Sequence, residues 1–259
     1  PYAIAATYGG ILNGNNKKRS MIFLKGKSYF VIIHAEETPK KITKNNFFIY
    51  ENFSPHSRCD RQYLTNENAI HIDQIRLQLN TWLEAKVISS SDYFFLLASL
   101  IDYVPSVSNI AGTYGAFLKN WDKRAFKDIE LSPLPTYDNK KKNKSYNEDG
   151  NDLVRKIKGD ILYIDPPYNS RQYLPNYHLL ETIARYDSPK LKGVTGLRDD
   201  DSKGSKYCRK SEAEDVLYDL ISSAQFEHII LSYSTEGLIQ EKSLKQITNQ
   251  VFCRNKEVF

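Results

Sequence analysis

The chain has 259 residues, 41% hydrophobic and 26% charged, enough for the core of one large domain or two modest ones. Its 36 basic and 31 acidic residues leave a net charge of +5, a mild bias towards a polyanionic partner. Three scattered cysteines (Cys59, Cys208, Cys253) and five histidines without ligand spacing argue against a disulfide framework and a metal site, and no apolar stretch is long enough to span a bilayer. The odd, scattered cysteines fit a reducing cytoplasm, and the start does not read as a signal peptide.

Residues 1–45 carry no repeat or functional motif: TYGGILNGNNKKRS is turn-like and basic, SMIFLKGKSYFVII suits two short strands around Lys25-Gly26-Lys27, and TPKKITKNN reads as a basic loop. Thr65 or Asn66 then caps a helix carrying Ile70, Ile72, Ile75, Leu77, Leu79, Trp82 and Leu83 on one broad face. Ser89–Ser91 cap the next, DYFFLLASLIDYV, which is apolar nearly all round and is expected to be buried. Residues 105–137 read as irregular, with SNIAGTYGAFLKNWDKRAF the most distinctive run, and NKKKNK at 139–144 as a lysine-rich surface loop.

The last hundred residues alternate strand and helix. A strand is expected at Lys144–Glu148, then a short helix NDLVRKI, a buried strand at 160–164 and a helix from near Pro175 through NYHLLETIARY. After a polar loop, Ser211 and Glu214 have the spacing of a capping box ahead of a stripe formed by Val216, Leu217, Leu220, Ile221 and Ala224. HIILSY at His228–Tyr233 reads as another buried strand, and a further one is expected to begin near Phe259. This alternation argues for an α/β layered sheet.

Strand 160–164 runs straight into Asp165, Pro166, Pro167 and Tyr168. Proline has no N–H to continue a ladder, so one acid and one aromatic are presented rigidly at the carboxyl end of a strand, the edge where open α/β sheets bind ligands. This set suits methyl transfer to an amino group on a planar ring. Such an amine is a weak nucleophile, its lone pair delocalised into the ring. Two acceptors aimed at its hydrogens free that pair; the Asp165 carboxylate and the Pro166 carbonyl can supply them. Tyr168 can stack on the ring, a contact typically worth about 1–3 kcal/mol. Positioning and electrostatics then carry the catalysis, with no covalent intermediate.

GDILYIDPPYNSRQY resembles the catalytic motif of the amino-group DNA methyltransferases, specifically the adenine-specific Dam-like, D-twelve class. YENFSP, RQYLTNENAIHIDQIR and SDYFFLLASLIDYVPSVSNIAGTYGAFLKNWDKRA resemble the middle of such enzymes; NYHLLETIARYDSP, GVTGLR and IILSYSTEGL resemble their segments beyond the motif. The resemblance spans about residues 46–240. It implies a Rossmann-like, S-adenosylmethionine-dependent α/β sheet, with an unassigned segment 1–46, a mainly helical insertion at 47–137 that contacts DNA, and a partial catalytic domain at 138–259. The implied reaction is methylation of adenine N6 in double-stranded DNA, the base being flipped from the stack. Pairing with a cognate restriction enzyme in a bacterial restriction-modification system is common in that group. By the resemblance, Asp165, Pro166, Pro167 and Tyr168 are catalytic, and Asp165 also borders the cofactor. Asp149 and Asp152 compete to contact the cofactor's adenine; the plain alternative for either is a helix N-terminal acid worth roughly 0.3–1 kcal/mol. Asn109, Tyr114, Lys119, Arg171 and Tyr173 are implied to face the target base or DNA.

One departure stands against this. The class begins with a basic, glycine-containing segment and a strand ending in an F-x-G-x-G-like loop, which lets backbone approach the cofactor. TYGGILNG lacks the strand before it and the acid after it. That points to a fragment or an interrupted gene with half the cofactor pocket absent. An inactive remnant that still binds DNA or a partner is therefore the alternative. Methylation of RNA, of glutamine or of cytosine N4 fits less well, because those relatives carry other motifs at this position.

Overall fold

The structure, a computed structural model, describes residues 20–24, 29–33, 47–56, 60–136, 139–141, 143–199 and 204–252, with the backbone alone for 20–24, 29–33 and 252. In chain order the elements are β1 (Ser20–Leu24), β2 (Tyr29–Ile33), α1 (Phe48–Phe53), α2 (Asn66–Glu84), α3 (Ser90–Tyr103), α4 (Gly150–Val154), β3 (Lys158–Ile164), α5 (Tyr173–Arg185), β4 (Leu191–Lys192), β5 (Leu197–Arg198), α6 (Ala213–Ser223), β6 (Gln225–Leu231) and α7 (Glu241–Phe252). The two strands expected around Lys25–Lys27 form an antiparallel pair, Ser20 opposite Ile33 and Leu24 opposite Tyr29. Their turn, TYGGILNG, TPKKITKNN, Cys59, Cys253 and the strand expected near Phe259 lie outside the described residues.

The chain divides into two compact units, 1–141 with 174–200, and 142–173 with 201–259. The first is mainly helical, with two short antiparallel strand pairs, β1–β2 and β4–β5. Thr65 caps α2 by accepting from the Asn68 N–H, and Ser89 with Asp92 forms a reciprocal capping box on α3. Ile72, Ile75 and Leu79 of α2, Leu96 and Leu100 of α3 and Leu179 and Ile183 of α5 share one core. α3 is not buried all round as expected: Phe94 lies exposed, because the core takes only the Leu96–Leu100 face.

Polar groups buried in this unit act as ties. Asp73 accepts from the Ile49 and Tyr50 N–H groups at 3.0 and 2.8 Å and from the Tyr186 hydroxyl at 2.6 Å. Burial lifts its carboxyl to about 7 against these bonds, which pull the other way. Arg76, also buried, donates to the Ile183 and Ala184 carbonyls at the end of α5 at 2.7 and 3.3 Å. Arg61 donates to the Gly193 and Val194 carbonyls and so clamps the turn between β4 and β5, where only a polar loop was expected.

In the second unit β3 and β6 pair in parallel, Lys158 opposite Gln225 through Ile164 opposite Leu231. Val154, Ile164, Leu217, Ile221, Ile239 and Ile247 pack against one face of this pair. The strands are therefore not buried on both faces as expected: Ile161 and Tyr163 are each 61% exposed. Alternation places them opposite the face that α6 and α7 cover. No strand forms at 144–148; that stretch is exposed and joins no strand among the described residues. The Ser211 capping box is also absent. α6 begins at Ala213, with Glu212 at the cap and no side-chain bond, because a backbone turn onto Arg209 starts the helix. α7 was not anticipated.

Candidate active site after strand β3

The Ser232 N–H donates to the Ile164 carbonyl at 2.9 Å, the last rung before the two prolines. Beyond it Asp165 is exposed and has no hydrogen-bond partner among the described residues; Pro166 is buried, Pro167 half-buried and Tyr168 43% exposed. Proline fixes the backbone direction, so the Asp165 carboxylate and the Pro166 carbonyl are presented by a stiff chain.

Two other segments of the unit hold this loop. The Leu238 N–H donates to the Tyr168 carbonyl at 2.8 Å. Leu238 is positioned by a tight turn in which the Gly237 N–H reaches the Ser234 carbonyl at 3.0 Å and the Ile239 N–H reaches the Tyr233 hydroxyl at 3.2 Å. A Cβ on Gly237 would stand 2.3 Å from a ring carbon of Tyr233 and 2.9 Å from the Ser234 carbonyl oxygen, so the turn admits no side chain there. On the other side the Gln172 amide spans Ser205, accepting from its N–H at 2.7 Å and donating to its carbonyl at 3.1 Å. The Cys208 thiol donates to the Arg171 carbonyl at 3.3 Å. Gly204, at φ +66°, lets the backbone pass the Gln172 amide, which a Cβ would meet at 2.8 Å.

The structure keeps Asp165, Pro166, Pro167, Tyr168, Arg171 and Tyr173 on one short segment, with Arg171 and Tyr173 exposed. Asp149 and Asp152 lie in the same unit. Asp149 caps α4, its carboxylate accepting from the Asn151 N–H at 2.9 Å, whereas Asp152 is exposed in the first turn. Asn151 ties α4 to α6 by donating to the Asp219 carboxylate at 2.7 Å and the Val216 carbonyl at 2.9 Å.

Asn109, Tyr114 and Lys119 belong to the first unit. Asn109 is fully buried and saturated: its amide donates to the Gln62 and Leu118 carbonyls and its oxygen accepts from the Asp122 N–H. Tyr114 is buried too, its hydroxyl 3.1 Å from that of Ser108, and burial raises its pKa. As folded, Asn109 ties the backbone of the irregular run, and the Tyr114 ring lies in the core of this unit. Lys119 is exposed.

The residues that sequence reasoning missed are Gln172, Tyr233 and Gly237. The Ser-x-x-Gly spacing of Ser234 and Gly237 directly after a strand was the available signal for the last. A cleft of about 770 Å3 opens at the opposite, amino end of the strand pair, lined by Lys158, Gly159, Gln225 and Phe226 among others. It contains none of these residues, and ligands of open parallel sheets gather at the carboxyl end. Among the described residues no cluster of three or more metal-ligating side chains occurs, and no helix is long and apolar enough to cross a membrane.

Comparison with known proteins accounts for the motif. Residues 20–247 match the family model of D12 class N6 adenine-specific DNA methyltransferases. The chain is 50% identical over 215 residues to the type II methyltransferase M.FokI of Planomicrobium okeanokoites, covering 83% of this chain and 33% of that protein. It is 48% identical over 191 residues to the modification methylase StsI of Streptococcus sanguinis, covering 74% of this chain and 29% of that protein. It is 44% identical over 240 residues to the type II methyltransferase M.NlaIII of Neisseria lactamica, covering 93% and 70%. The chain thus spans about a third of the length of the first two relatives. No solved structure matches. The chain belongs to the D12 class of N6 adenine-specific DNA methyltransferases.

Proposed function

We propose that the protein transfers a methyl group from S-adenosylmethionine to N6 of adenine in double-stranded DNA, as the modification arm of a cytoplasmic restriction-modification system. The observation that carries this is the exposed, unpaired Asp165 carboxylate beside the Pro166 carbonyl at the end of β3, with Tyr168 held by Leu238. In this reading β3 and β6 are neighbouring strands of a Rossmann-like sheet. Residues 47–137 form the mainly helical DNA-contacting region and 138–259 the catalytic part. The naming of its relatives as type II methyltransferases and modification methylases favours the enzyme over an inactive remnant.

Asp165 and the carbonyl of Pro166 accept the two hydrogens of the adenine amine, concentrating its lone pair on nitrogen. Tyr168 would stack on the flipped base and hold its amine against the methyl donor. Transfer would break the S–CH3 bond of the sulfonium as the N–C bond forms, leaving a neutral thioether and a cationic amine; the Asp165 carboxylate would stabilise that charge and orient the departing proton towards water. Arg171 and Tyr173, exposed beside the motif, face the DNA.

The acids of this unit suit S-adenosylmethionine. Asp165 is an open carboxylate that would border the molecule, and Asp149 and Asp152 compete to contact its adenine: Asp152 is open, and Asp149, committed to the Asn151 N–H through one oxygen, keeps the second for that contact. When bound, that molecule supplies an electrophilic methyl group on a sulfonium. The test is digestion of duplex DNA to nucleosides after incubation with the protein and S-adenosylmethionine. N6-methyladenine is the expected product; N4-methylcytosine, or no modified nucleoside, overturns the reading.

A further inference from the structure

We propose that Lys119–Lys127, KNWDKRAFK, is a duplex-DNA contact. Lys119, Lys123 and Lys127 take backbone phosphates, and the Trp121–Phe126 ring pair makes an apolar contact with the nucleotides between them. The inference deepens the DNA methyltransferase reading and rests on it.

Four basic side chains and one acid lie in these nine residues. Arg124 is occupied internally: it donates to the Ile110 carbonyl and pairs with Asp122 at 3.4 Å. The three lysines are exposed and have no acidic partner among the described residues. Between them Phe126 is 64% exposed, its ring centroid 5.6 Å from that of half-buried Trp121. An exposed aromatic of that size on an otherwise cationic loop finds no core to join, and charge together with ring faces is what nucleic acid offers a complement to.

The loop is also preformed, around a single 3-10 turn at Lys123–Phe126 that Asp122 caps by accepting from the Arg124 N–H. The Asn68 side chain, buried on α2, donates to the Ala125 and Lys127 carbonyls at 3.1 and 2.8 Å and accepts from the Ile129 N–H at 3.0 Å. Asn109 does the same at the other end, through the Leu118 carbonyl at 2.9 Å and the Asp122 N–H at 2.8 Å. Two buried amides therefore fix the backbone on both sides of the ring pair. A loop held rigid from beneath while its basic and aromatic side chains stay outside has the build of a recognition surface.

Trp121 provides the readout, since the chain has only one other tryptophan, Trp82, which is buried in α2. In a Trp82→Phe background, titration with duplex DNA is expected to change the Trp121 emission. In the otherwise unaltered chain, Phe126→Ala is expected to weaken duplex binding about tenfold, within the range for one stacked ring. Lys119, Lys123 and Lys127 changed together to Ala are expected to reduce the slope of log affinity against log salt by about 2 to 3. Binding of S-adenosylmethionine should be unaltered in both. If the unaltered chain binds duplex but neither affinity nor salt slope changes in these variants, the surface lies elsewhere and the methyltransferase reading stands. If the unaltered chain binds no duplex at low salt, both fall.

Discussion

The Leu238 N–H donates to the Tyr168 carbonyl at 2.8 Å, so the turn after β6 fixes the residue that ends the Asp-Pro-Pro-Tyr motif after β3. Gly237 makes that turn possible. In Gly237→Ala the new Cβ must displace the Tyr233 ring, and with it the hydroxyl that receives the Ile239 N–H. The expected result is a fall in kcat of tenfold or more with a smaller change in affinity for S-adenosylmethionine. Steady-state kinetics beside a cofactor titration separate the two.

Tyr168 is proposed to act through its ring face. Tyr168→Phe is therefore expected to keep most of the single-turnover rate. Tyr168→Ala should lose the stacking, about 1–3 kcal/mol or roughly 5- to 150-fold. Fluorescence of 2-aminopurine placed at the target adenine reports whether the base is still held outside the stack.

Asp73 gives a pH dependence whose sign is fixed by its burial. Its folded pKa, about 7, lies above that of an ordinary carboxyl near 4. The folded chain thus binds more protons between these values, and stability falls as pH rises from about 4 to about 7, then levels off. His178 works in the opposite sense: burial lowers its pKa, so it adds stability as pH rises towards its ordinary value. Comparing thermal unfolding of the unaltered chain with Asp73→Asn cancels the histidine. The variant is expected to lose the downward trend with pH, while its Oδ1, in the place of the oxygen that takes the Ile49 N–H and the Tyr186 hydroxyl, keeps an acceptor for two of the three donors.

Gly193 and Gly196 both have left-handed backbones, at φ +70° and +72°. Only Gly196 is crowded: a Cβ there would lie 2.8 Å from Nε of Arg61, whereas nothing lies within 4 Å at Gly193. Gly193→Ala is expected to cost about 1–2 kcal/mol from the backbone alone. Gly196→Ala should cost more, because it also dislodges a guanidinium that holds the Val194 and Gly193 carbonyls. Denaturant unfolding of the two variants gives the ranking.

The parts of this chain legible from sequence are those whose causes are local. β3 announced itself as an apolar run cut off by prolines, and the caps were readable to within a residue or two, as Thr65 or Asn66 and Ser89–Ser91, because the groups that the actual caps Thr65 and Ser89 bind, Asn68 and Asp92, lie three residues on. The β4–β5 pair was not, since its clamp, Arg61, is 132 residues from Gly193. A continuous apolar strand also hides which face is covered, so the exposure of Ile161 and Tyr163 was invisible until α6 and α7 were placed. In the candidate site, the motif residues were identified by their chemistry. Their braces, Gln172 on Ser205 and Leu238 on Tyr168, are contacts between separate segments without a composition signal.

The central claim is that the Asp165 carboxylate accepts from an adenine amine during methyl transfer. The most direct measurement is the single-turnover rate of N6-methyladenine formation in duplex DNA by the unaltered chain, Asp165→Asn and Asp165→Ala, each at saturating S-adenosylmethionine and DNA. A rate lost by orders of magnitude in both variants, with the duplex still bound, is the predicted result. Methylation by either variant at the rate of the unaltered chain would contradict it.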